Sequence, residues 1–148
     1  MTTTPYDKTQ YYHKMNIKYR KKKPSIHLGG REPLFLTPFK LSAASLIATH
    51  YHVDVLFLSP HHQIRTPDIV LFDTLWKIRN PVGGTIRSVE RQVKRSLPHS
   101  GSIIFDARYM HLDRATIRQE LERLVKRRAG TIRHLILIEK DGTVIELR

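Results

Sequence analysis

The chain has 148 residues, the size of one domain able to bury its own core. It carries 26 Lys and Arg against 13 Asp and Glu, a formal net charge of +13, and no cysteine. Such a field selects polyanionic partners, nucleic acid first, with an acidic membrane surface or an acidic protein as rivals, while disulfides and thiolate metal sites are excluded. No apolar run reaches membrane-spanning length and the N-terminus lacks the apolar stretch of a signal peptide. A soluble, cytoplasmic protein with no membrane partner is the expectation.

Residues 1–39 read as a basic, tyrosine-containing arm, and 40–148 as the folded domain. Lys8, Lys14, Lys18, Arg20, Lys21, Lys22 and Lys23 stand among Tyr6, Tyr11, Tyr12 and Tyr19 with no sustained apolar period. Lysines there can neutralise phosphates while tyrosines stack on exposed bases; a solubilising tail has the same composition. Pro24 and Gly29-Gly30 mark the linker.

A helix is expected over 41–50, with Ser42 as N-cap and Ala43, Leu46, Ile47 and His50 on one face, followed by an apolar strand over 53–58. The loop 59–66 holds His61-His62, a pair that can act as bases or simply stand in solvent. Residues 69–72 and 75–78 are rich in β-branched and aromatic side chains, and Asp73-Thr74 between them suits a tight turn. Lys77 and Arg79 then point to one face of the second strand, Trp76 and Ile78 to the other, with Asp68 at the mouth of the hairpin.

A second helix is expected over 85–97, capped by Thr85 and ended by Pro98, burying Ile86, Val89, Val93 and Leu97. Arg87, Arg91 and Arg95 repeat every four residues, with Lys94 beside them. Like charges at that spacing repel unless an anion such as a phosphate backbone lies against them. A buried strand over 102–105 leads to Asp106 and Arg108; Asp113 caps a third helix to residue 128 with Ile117, Leu121, Leu124 and Val125 inward and Glu122 able to pair with Lys126. Strands over 135–138 and 143–147 close a hairpin around Lys140-Asp141-Gly142. The order αβββαβαββ predicts an α/β fold, a mixed sheet flanked by helices.

Proline-aspartate at 67–68, Leu75-Trp76-Lys77-Ile78-Arg79-Asn80-Pro81, Thr85-Ile86 with Glu90-Arg91-Gln92, and Ile103-Ile104-Phe105-Asp106 with Arg108 together resemble the CdiA C-terminal tRNA-nuclease domain. That domain belongs to the PD-(D/E)xK nuclease superfamily and occurs in growth-inhibition toxins and mobile-element proteins. The resemblance spans about 41–148 and implies a restriction-endonuclease-like fold, RNA (tRNA first) as partner, Mg²⁺ as cofactor where the nuclease is active, and an immunity-like protein partner. It implies Asp68 as the metal-binding aspartate and 77–79 as the Glu-x-Lys positions, with Gln92 on the motif's helix. This chain has Lys77-Ile78-Arg79 there, so a metal ligand is replaced by an ammonium. The expectation is an RNA-binding domain whose metal-dependent cleavage is lost or weakened, with catalytic motif positions Asp68, Lys77, Arg79 and Gln92. Nucleic acid would be held by Arg87, Arg91, Lys94, Arg95, Lys21, Lys22 and Lys23. Two alternatives stay open: a metal-free ribonuclease using His61 or His62 with Lys77 and Arg79, and a protein-binding module derived from a toxin domain.

Overall fold

A computed structural model of the chain describes residues 24–28, 37–58 and 67–148. Seven strands form one mixed sheet in sequence order: β1 Ile26–Leu28, β2 Val55–Phe57, β3 Ile69–Leu71, β4 Thr74–Arg79, β5 Ser102–Asp106, β6 His134–Ile138 and β7 Val144–Glu146. Three helices interrupt them: α1 Pro38–Tyr51, α2 Ile86–Ser96 and α3 Arg114–Arg127. The mixed α/β sheet flanked by helices is as expected. The order gains a leading strand, because β1 lies inside the stretch expected to be an arm and pairs in parallel with β2. Three apolar-to-polar residues are too short to show a period, so the strand has no signature of its own. The rest of the arm, with Lys21, Lys22 and Lys23, and the loop with His61 and His62 lie outside the described residues.

The sheet separates two cores. On one face α1 buries Ala43, Ala44, Ile47, Ala48 and Tyr51 against Val55, Phe57, Ile69, Leu71, Trp76, Ile78, Ile104 and Ile136. On the other, Val89 and Val93 of α2 and Ile117, Leu121 and Leu124 of α3 close over Ile103, Phe105, Leu135 and Leu137. Strands β4, β5 and β6 are parallel in register Ile78–Ile104–Ile136, so one row of isoleucines faces α1. The neighbouring row, Lys77–Ile103–Leu135, therefore faces α2 and α3. A sheet covered on both faces explains why 103–105 and 135–138 are unbroken apolar runs.

Several local expectations shift. Helix α1 begins at Pro38 rather than residue 41: Thr37 is the N-cap, its Oγ1 accepting from Lys40 N at 3.3 Å, and proline occupies the first turn where no N–H is needed. Ser42 is thus inside the helix, and His50 is exposed rather than inward. The β3–β4 turn is Phe72-Asp73, one residue earlier than expected, with both φ angles positive at 52° and 57°. That is the type I′ geometry whose twist matches a two-residue hairpin. Phenylalanine is a poor residue for it, and the ring is held by burial and an edge-on contact with Tyr51 at 5.0 Å. Ile86, expected inward, is 48% exposed. Glu122 pairs with Arg118 at 3.3 Å rather than with Lys126, the partner one turn earlier being equally within reach. The Lys140-Asp141-Gly142 turn is as expected, with Gly142 at φ 88°.

Candidate functional site

The ends of β4 and β5, the start of β3 and the first turn of α1 meet at one edge of the sheet. In open α/β sheets the crevice beyond the carboxyl ends of parallel strands is where ligands collect. Asp68 is locked there by its backbone, donating N–H to Trp76 O at 2.8 Å and accepting from Leu58 N at 2.9 Å. One carboxylate oxygen accepts from the Ile78 N–H at 2.7 Å. The other faces two ammonium groups, Lys40 Nζ at 2.7 Å and Lys77 Nζ at 3.4 Å.

Lys77 is 8% exposed and, as the strand alternation expected, lies on the face opposite Trp76 and Ile78. Burial presses its pKa below the ordinary lysine value; Asp68 opposes that, while the cations Lys40 and Arg79 reinforce it. Arg79, two residues on, does not join Asp68. Its Nε donates to Ser96 Oγ at 2.8 Å and a terminal nitrogen donates to the Arg95 carbonyl at 3.1 Å, capping the last turn of α2. Ser96 Oγ in turn donates to Gln92 O at 2.8 Å, so Gln92 reaches this network through its main chain. Burial also lowers the Arg79 pKa, with Arg95 adding to the effect and Asp68 countering it.

The divalent-metal expectation meets this donor set directly. A hard cation takes six or more oxygen ligands, mostly carboxylate and carbonyl. Both Asp68 oxygens already accept hydrogen bonds, two of the three donors being cations, and among the described residues no group of three His, Asp or Glu side chains converges. The residues present do not fit Mg²⁺.

A second cluster adjoins the first. Asp106, wholly buried at the end of β5, accepts from Arg108 N, Nε and a terminal nitrogen at 3.1, 2.9 and 2.9 Å, and from Asn80 Nδ2 at 3.1 Å. Hydrogen bonding to Asp106 raises the Arg108 pKa. Arg108 also donates to Ser42 Oγ at 3.0 Å, and Asn80 Nδ2 to the Phe39 carbonyl at 3.2 Å. Through these two bonds the strand ends grip the first turn of α1, the turn that carries Lys40. On α2, Arg87, Arg91, Lys94 and Arg95 are all exposed, with Lys94 leaning on Glu90 at 3.5 Å.

Sequence reasoning missed Lys40 and the grip on α1. Asp106 and Arg108 were visible as a charged pair ending a buried strand, and that pattern was the available signal. Lys40 had none, since only the fold carries it 28 positions along the chain to Asp68.

No protein-family model matches the chain, and no curated protein sequence matches it. A solved structure does: the CdiA-CT/CdiI toxin and immunity complex from Burkholderia pseudomallei, with a TM-score of 0.52 at 15% identity, covering 82% of this chain and 97% of that one. The fold is CdiA-CT-like. At this identity the likeness rests on backbone arrangement, and the CdiA-CT-like fold leaves the chemistry to the residues in place. No helix among the described residues is long and apolar enough to cross a membrane.

Proposed function

We propose that the chain is an RNA-binding domain of the CdiA C-terminal tRNA-nuclease type whose metal-dependent cleavage is lost or greatly weakened, with tRNA as the RNA it binds. The observation that carries this reading is the pair of ammonium groups on Asp68, from Lys40 and Lys77. By resemblance to the PD-(D/E)xK pattern, Asp68 and the residue at 77 would together hold Mg²⁺. A lysine at that second position puts a positive charge where the cation would bind and leaves a surplus of positive charge around a single carboxylate. Such a surplus suits a phosphate oxygen, which ammonium groups hold by charge-assisted hydrogen bonds. Arg87, Arg91 and Arg95 on α2 extend the cationic surface, and the net charge of +13 draws a polyanion from a distance.

The test incubates purified protein with total tRNA, with Mg²⁺ or with excess chelator, and reads both a denaturing and a native gel. Intact tRNA that shifts on the native gel, losing the shift steeply with salt, is the expected result. Cleavage that needs metal overturns it. Cleavage in both conditions, abolished by His61→Ala or His62→Ala, transfers the reading to a metal-free ribonuclease. The solved structure of similar fold is a toxin with its immunity protein, which favours as a second reading a surface for an immunity-like protein partner. Such binding would tolerate salt that abolishes the tRNA shift.

A further inference from the structure

Of the large apolar side chains exposed among the described residues, Phe39 alone is aromatic, at 42% exposed. Its ring meets that of Tyr109 edge-on, with centroids 4.6 Å apart. Tyr109 in turn lies beside the Arg108 guanidinium, 5.1 Å from ring centroid to carbon, and that guanidinium is clamped by the buried Asp106. The Phe39 carbonyl is held by Asn80, and the Tyr109 carbonyl accepts from Gly83 N at 2.9 Å, beside the 66% exposed Val82. Hydrogen bonds thus hold both backbones, with the Phe39 ring exposed and the Tyr109 ring partly buried against it. The Phe39 ring is backed by Tyr109 without being covered.

Their neighbours are charged in one sense. Lys40 follows Phe39 in the chain and reaches Asp68, and Arg108 precedes Tyr109 with its guanidinium beside that ring. The acids nearby are engaged, Asp68 by two lysines and Asp106 by Arg108. An exposed phenyl ring backed edge-on by a partly buried tyrosine, with cations beside it, matches what single-stranded nucleic acid offers, a flat base on a phosphate chain.

We infer that Phe39, backed by Tyr109, forms a stacking platform for an unpaired nucleobase whose flanking phosphate is held at Lys40. The inference rests on the RNA-binding reading and adds to it the part of RNA that this site takes: an unpaired nucleotide rather than a helix backbone. Every base has an aromatic face, so the platform selects for single strands and not for one sequence.

The test measures fluorescence anisotropy of the full chain with labelled oligoadenylate and with an abasic ribose-phosphate oligomer of equal length. The probes share phosphates and differ in bases. The expected result is tighter binding of oligoadenylate, reduced about tenfold in Phe39→Ala and retained in Phe39→Tyr, with abasic binding and salt dependence unchanged. A matching denaturation midpoint for Phe39→Ala shows that the fold is intact. Equal affinity of Phe39→Ala and the unaltered chain for oligoadenylate overturns the platform and leaves phosphate binding standing, as does an equal loss on both oligomers. Failure of the unaltered chain to bind either oligomer at low salt overturns the RNA-binding reading and the platform with it.

Discussion

Lys77 lies opposite Asp68 across the β3–β4 ladder, its Nζ 3.4 Å from the carboxylate that also receives Lys40 at 2.7 Å and the Ile78 N–H at 2.7 Å. One carboxylate thus serves a structural and an electrostatic purpose: it satisfies a strand amide and it partly neutralises a cationic pocket.

Those two purposes separate on mutation. Asp68→Ala strips the acceptor from Ile78 N–H and leaves the buried Lys77 without its counter-charge, for a cost of about 3 kcal/mol. Asp68→Asn keeps an oxygen for the amide and costs roughly half as much. On the proposed RNA-binding reading both variants are expected to bind tRNA more tightly, because a negative charge leaves the cationic cluster, with a salt dependence steeper by about one counterion. Urea denaturation and tRNA titration at two salt concentrations check this; weaker RNA binding by Asp68→Asn contradicts it.

Lys77 makes stability depend on alkaline pH. Its folded-state pKa is lowered, first by burial, so the folded chain releases this proton before the unfolded chain does. Between that lowered value and the ordinary lysine value of about 10.4, the unfolded state binds more protons and stability rises with pH. Below the window the full penalty of a charged Lys77 is present. Denaturation midpoints measured over this range rise in the unaltered chain and stay flatter in Lys77→Met. If the proposed RNA binding uses Lys77, affinity is expected to move the other way, falling as Lys77 loses its charge, and Lys77→Met to reduce the salt slope by about one.

Phe72 holds a left-handed conformation for the sake of its ring. At φ 52° glycine is relieved of about 1 kcal/mol of strain that alanine keeps. Both substitutions empty the pocket against Tyr51, a loss of roughly 3 kcal/mol or more. Phe72→Gly is therefore expected to be the more stable of the two by about 1 kcal/mol in chemical denaturation, the reverse of the usual order in a strand.

Arg108 supplies three of the four donors that Asp106 receives. Its backbone N–H survives mutation, but Arg108→Met leaves a buried carboxylate without its charge partner, at about 3 to 5 kcal/mol. Adding Asp106→Asn recovers part of that loss, since no charge then remains buried. Thermal unfolding of the single and double variants measures the recovery, and strict additivity of the two changes contradicts the pairing.

Asp54 ties β1 to the sheet. Its Oδ1 accepts from Ser25 N at 2.9 Å and Ser25 Oγ at 3.1 Å, and Oδ2 faces His27 Nε2 at 3.2 Å. Burial pushes the carboxyl upward, but the Ser25 amide, His27 and the Ser25 hydroxyl outweigh it and hold the pKa below its ordinary value. A depressed carboxyl contributes stability that is whole above about pH 4 and is lost as pH falls through the folded value. The protection of the Val55 amide against hydrogen exchange, relative to the intrinsic rate at each pH, falls in acid, this amide donating to Ser25 O at 3.1 Å; Asp54→Asn removes most of that fall.

Particular residues show where the sequence was readable. The apolar runs at 103–105 and 135–138 and the three-and-four spacing of Ile117, Leu121 and Leu124 place β5, β6 and α3 without help, because a repeating pattern over several residues outweighs any one side chain. Ends were harder. The start of α1 turned on Thr37 and Pro38 rather than Ser42, and the β3–β4 turn on Phe72, whose ring is accommodated only because Tyr51 stands beside it. Lys77 facing away from Trp76 and Ile78 followed from strand alternation, and its pairing with Asp68 followed from the hairpin.

Local periodicity and charge therefore carried the mixed α/β class, most of the inward faces and the cationic surplus. Tertiary structure alone decided which distant groups share the Asp68 edge. Lys40 arrives there because Asn80 and Arg108 grip the first turn of α1, and Arg79 leaves because the last turn of α2 offers it a carbonyl and a hydroxyl. Such choices depend on contacts between residues tens of positions apart, and a contact of that separation leaves no period in the chain that makes it.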